Sequence, residues 1–94
     1  ISIYVAQADA MIVLGTVIAL KSEIRDEAAL NSALLQANES YDFIKTTIDD
    51  DGDYRLRLDL LAPGLTPTLF SDQLVQIATI YDLLKPTIDK FRKK

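Results

Sequence analysis

Hydrophobic and polar positions alternate most cleanly over Tyr54–Leu61. Tyr54, Leu56, Leu58 and Leu60 fall on one side, and Arg55, Arg57 and Asp59 on the other. A period of two belongs to a strand with one buried face. Residues 43–48, Phe43-Ile44-Lys45-Thr46-Thr47-Ile48, read as its partner. Between them lies Asp49-Asp50-Asp51-Gly52-Asp53, a reversal in which Gly52 takes the positive φ of the turn and Asp51 tolerates it. The hairpin over residues 43–61 is the piece around which the chain is organised.

The same pattern predicts the other elements. Residues 1–7 alternate, with Ile1, Ile3 and Val5 opposite Ser2, Tyr4 and Ala6, and read as a strand. Residues 7–10 form a short polar break. Residues 11–21 are rich in Ile, Val and Thr and apolar on both sides, Met11, Val13 and Val17 against Ile12, Leu14, Ile18 and Leu20. That composition favours a central strand covered on both faces over a buried helix. After a connection at 22–25, Asp26 is placed to cap a helix over 27–38, with Glu27 suited to the positive end of its dipole. Leu30, Ala33, Leu34, Ala37 and Tyr41 gather on one stripe, and Asn38 reads as a left-handed cap. Ile24, Ala28 and Leu35 make a second, smaller apolar strip on the other side. Downstream, residues 62–65 form a loop, Thr66 caps a helix, and Pro67 takes its first position, where a missing N–H costs nothing. Phe70, Leu74, Ile77, Ile80, Tyr81, Leu84, Ile88 and Phe91 then share one arc of about 120°. Asp72, Thr79, Asp82 and Asp89 lie outside it. The phase survives Pro86, so one long helix kinked near Pro86 is expected. The order is ββα–ββα, an α+β fold with helices packed on an antiparallel sheet.

Composition narrows the function. Ninety-four residues, 49% hydrophobic and 26% charged, make one ordered domain, marginal in size unless a second chain helps. The strand pattern at Ile1 predicts a further segment upstream. With no Cys and no His, disulfides, thiolate nucleophiles, imidazole bases and the usual zinc ligands are excluded. A net charge of −4 argues against nucleic acid and anionic membrane as partners. The uncharged run 10–20 is well short of the ~20 residues that span a bilayer.

Candidate chemistry is sparse. Asp49, Asp51 and Asp53 are the one carboxylate cluster, but a calcium loop aligned on Gly52 would place Thr47 first and Leu58 last, so the register fails. An acidic hairpin turn accounts for them. Arg55 and Arg57 with Lys45 opposite could form an anion site, but a solvated strand face balanced by Asp59 and nearby Glu residues accounts for them better. The basic residues 90–94 complement a helix C-terminus. The tyrosines Tyr4, Tyr41, Tyr54 and Tyr81 read as half-buried packing residues. No catalytic, metal or cofactor residue is assigned.

Leu34-Leu35-Gln36-Ala37-Asn38 resembles the Leu-Leu-x-x-Asn helix end of the type III secretion chaperone-like superfamily, which includes the Tir-type class I chaperones and the YbjN-like proteins. In that superfamily the helix is followed by a hairpin with an acidic turn, a Leu-rich strand and a long C-terminal helix. Here the counterparts are residues 49–53, 54–61 and 67–91. Residues 1–5 and 24–31 resemble a small bacterial family with the same architecture, while the superfamily's first helix has no counterpart. The resemblance implies a small acidic cytoplasmic protein, dimeric and without an active site. Combined with the residues, it predicts a non-enzymatic domain that binds a protein segment as a homodimer, with Ile24, Ala28 and Leu35 as the partner or dimer contact and no cofactor. The alternatives are a regulatory or structural module of a larger bacterial protein, and a weak metal-dependent enzyme using Asp49, Asp51 or Asp53.

Overall fold

A computed structural model describes residues 2–93. Two hairpins, each followed by a helix, give the predicted order. Strands β1 (Tyr4–Ala8) and β2 (Met11–Ala19) precede helix α1 (Glu27–Ser40); β3 (Ile44–Ile48) and β4 (Tyr54–Leu61) precede α2 (Pro67–Lys90). The sheet has the order β1-β2-β4-β3 and every pairing is antiparallel. The first strand begins later than its alternation suggests, and Ile1 lies outside the described residues.

Register explains the layers. Ile44, Leu58 and Leu14 stand side by side across three strands, as do Thr46, Leu56 and Thr16. These residues face the helices. Leu14, Leu56 and Leu58 are completely buried, and Leu30 and Leu34 of α1 and Ile77, Ile80, Leu84 and Ile88 of α2 are buried with them. Phe70, Leu74, Tyr81 and Phe91 pack against this cluster from the flank of the α2 arc. Asp72, Thr79, Asp82 and Asp89 are exposed, as the wheel requires. Thr66 caps α2 by accepting the Leu69 N–H at 3.1 Å, and the helix runs unbroken through Pro86.

Among the described residues, no helix covers the opposite face of the sheet. By register it presents Ala6, Val13 and Asp59 in one row, and Ala8, Met11 and Leu61 in the next. The expectation that β2 is covered on both faces therefore holds on one face only. Its second apolar row, Met11, Val13 and Val17, is half-buried to exposed. On that face Tyr4 lies directly across from Gly15, and its ring fills the space a side chain there would take.

The end of α2 is fastened to the connection between β2 and α1. Ile24 and Arg92 form an isolated antiparallel bridge. Arg25 N–H donates to the Phe91 carbonyl at 2.9 Å, and Lys93 N–H to the Glu23 carbonyl at 2.7 Å. The Arg92 guanidinium reaches Asp89 at 2.9 Å, Glu23 at 3.2 Å and the Ile18 carbonyl at 3.3 Å. The Arg92 charge is thus used inside the fold.

Candidate functional site

Helix α1 leans over β3, the last strand of the sheet, and leaves a groove between them of about 270 Å³. Leu34 and Leu35 form the helix wall, Thr46 and Ile48 the strand wall, and Tyr54 the floor, with Asn31 beside it. Two of these side chains are displayed to solvent: Leu35 is 70% exposed and Ile48 52%. The buried hydroxyl at the base is satisfied. The Tyr54 hydroxyl donates to Asn31 Oδ1 at 2.8 Å, and burial, aided by the charge of Glu27, raises its pKa above the ordinary 10.0. Tyr54 is therefore a fully buried anchor rather than the half-buried residue its amphipathic type suggests.

Asn38 closes one end of the strand wall. Its Oδ1 accepts the Thr46 N–H at 2.7 Å and the Thr46 hydroxyl at 2.9 Å, and its Nδ2 donates to the Thr46 carbonyl at 3.3 Å. The reading of Asn38 as a left-handed cap is corrected. The helix continues to Ser40, the cap residue Tyr41 is extended, and the positive φ falls on Phe43, at 66°. Periodicity alone could not reveal that the Asn38 side chain bonds to a strand eight residues on.

The predicted contact residues separate. Ala28 and Leu35 lie two turns apart on one exposed stripe of α1. Ile24 does not join them. It is 4% exposed, packed into the chain's own core and held there by its bridge to Arg92.

The acidic turn is organised by hydrogen bonds within the hairpin. Asp49 Oδ1 accepts the N–H groups of Asp51 and Asp53 at 2.9 and 3.0 Å, while Oδ2 pairs with Arg55 Nε at 3.0 Å. Gly52 takes φ 85°, as the turn demands. One carboxylate oxygen each from Asp49, Asp51 and Asp53 lies within 4.8 Å of the others. Arg55 also lies over the Tyr4 ring at 5.6 Å, and Arg57 pairs with Asp59 at 2.9 Å, with Lys45 opposite Arg57 in register. The strand face is polar and charge-balanced as its alternation predicts.

Residues 1–90 match the model of the family YbjN, whose description is "Putative bacterial sensory transduction regulator". The chain belongs to the YbjN family. No curated protein matches this YbjN-family chain significantly. Among solved structures it is similar to a chain in "Crystal Structure of the ExsC-ExsE Complex", with a TM-score of 0.67 and 16% identity. The alignment covers 84% of this chain and 60% of that one, so the chain spans less than two thirds of its neighbour's length. At that identity the likeness is one of fold. It agrees with the type III secretion chaperone-like architecture that the resemblance implies. No helix of the described residues is long and apolar enough to cross a membrane.

Proposed function

We propose that this YbjN-family chain is a cytoplasmic, non-enzymatic, chaperone-like interaction domain that holds an extended apolar segment of a partner protein and works as a homodimer. The observation that carries the reading is the groove between α1 and β3, where Leu35 and Ile48 stand open around a buried Tyr54. The Tyr54 hydroxyl at its base is already hydrogen-bonded, so an apolar side chain seated over it leaves that group paired. Each such side chain gains about 1.5–3 kcal/mol of burial. The concave shape and apolar walls suit a side chain from an extended segment. The fold shared with a chain of the ExsC–ExsE complex supports a protein-binding role.

Ala28 and Leu35 are the surface assigned to the second copy. Ile24 is withdrawn from it, because its own chain already covers it. The family description favours a second reading, a regulatory module within a larger bacterial protein.

Sedimentation equilibrium and an NMR titration with an uncharged Leu/Val-rich peptide test the proposal together. A dimer is expected, with peptide-induced shifts concentrated at Leu34, Leu35 and Ile48. Leu35→Asp should abolish both responses, whereas Val75→Asp, at an equally exposed site on α2 (64%), should leave both intact. A monomer whose groove resonances ignore the peptide overturns the reading.

A further inference from the structure

An edge strand presents unpaired N–H and C=O groups to any chain that can lie alongside it. In an antiparallel ladder, alternate residues turn both backbone groups away from the neighbouring strand. On β3 these outward residues are Ile44, Thr46 and Ile48, since the intervening Thr47 and Lys45 lie in phase with the Asp49 N–H to Asp53 carbonyl bond that closes the hairpin. Thr46 is the middle one, and both of its outward groups are occupied by a single side chain. Asn38 accepts its N–H at 2.7 Å and donates to its carbonyl at 3.3 Å. The Ile44 N–H is also taken, by the Asp42 carbonyl at 2.7 Å.

A carboxamide has the donor and acceptor of a peptide group. We infer that Asn38 acts as a plug, standing where the peptide group of an added strand would stand, and that it closes the β3 edge to pairing with a second copy of this chain. The Thr46 hydroxyl steadies the plug, its one proton lying between two acceptors, Asn38 Oδ1 at 2.9 Å and the Leu34 carbonyl at 3.1 Å. Position 38 must therefore offer a donor and an acceptor at the reach of an asparagine. A helix cap would ask for neither.

Two measurements test this. In the wild-type protein, hydrogen exchange at the Thr46 amide should be slowed roughly 100-fold or more relative to an unstructured peptide, although it faces away from the sheet. An unprotected Thr46 amide overturns the inference whatever the variants do. In sedimentation velocity, Asn38→Ala should raise the weight-average mass to roughly double that of wild type or more at equal concentration. Asn38→Asp keeps the acceptor and loses the donor, so it should fall between. Adding Thr46→Pro to Asn38→Ala removes the freed N–H without touching the β4 ladder, and should return the mass to the wild-type value. A folded Asn38→Ala protein with wild-type mass overturns the plug. So does a double variant that associates as strongly as Asn38→Ala alone.

Discussion

Replacing Gly15 by Ala sets two local effects against each other. Gly in a strand interior is ordinarily worse than Ala by roughly 0.5–1 kcal/mol, so the substitution should stabilise. Here a Cβ would stand 2.9 Å from Tyr4 Cε1 and closer still to the phenol end of the ring. Those atoms belong to a side chain at the sheet edge, so the ring swings out and the backbone holds. Displacement gives up the stacking of Arg55 over the ring at 5.6 Å, about 0.5–1 kcal/mol at an exposed site. It also uncovers roughly 50 Å² of apolar surface, about 1.3 kcal/mol. Gly15→Ala should therefore destabilise the wild-type protein by roughly 0.5–2 kcal/mol. In a Tyr4→Ala background the obstacle is gone, and the same substitution should stabilise by roughly 0.5–1 kcal/mol. Urea denaturation followed by circular dichroism measures both arms, provided the m-value is unchanged. The change of sign is the decisive feature of the cycle. Equal effects in the two backgrounds would refute the idea that Tyr4 occupies the space over Gly15.

Leu58 is fully buried at the centre of the sheet, and Leu58→Ala should cost about 2–5 kcal/mol, read as a lower urea midpoint. Acid should weaken the fold through two carboxylates. Burial alone would raise Asp49, but the N–H groups of Asp53 and Asp51 and the Arg55 guanidinium outweigh it and hold its pKa below the ordinary 3.8. The Leu20 N–H, helped by Arg92, holds Glu23 below the ordinary 4.5. Both groups bind a proton more weakly when folded, so their contribution is complete above the unfolded pKa and is lost as pH falls through the folded one. Asp49→Asn should make thermal stability fall less steeply below pH 3.8 than it does in wild type.

Much of the architecture was legible because strong signals agreed. The two-residue rhythm of β4 and the broad arc of α2 meet in one core, as the burial of Leu56, Leu58, Ile77 and Leu84 shows. Asp51-Gly52 marked the reversal because few residues tolerate its backbone. The misses have a common origin in long-range pairing. Ile24 looked like part of a surface strip, yet a residue 68 positions away in the chain, Arg92, bridges to it. Asn38 looked like a cap because asparagine favours such sites, and only the placement of β3 shows where its amide goes. The apolar second row of β2 looked doubly covered because apolar residues line both of its sides, and periodicity does not show whether a helix lies over each. The groove was visible in part through Leu35, whereas Ile48 joins it only once the hairpin is laid under α1.

The stitch at Phe91, Arg92 and Lys93 also decides how the molecule comes apart. Pro86 deprives the Asp82 carbonyl of its usual helical donor, which would make the last turns of α2 the natural place to fray. Those turns are instead anchored on the far side of the proline by bonds to Glu23 and Arg25. The opposite end has the Thr66 cap and the loop with Gly64 before it. Release of α2 from the sheet is therefore expected to begin at the Pro67 end and to turn about the stitch at residues 91–93.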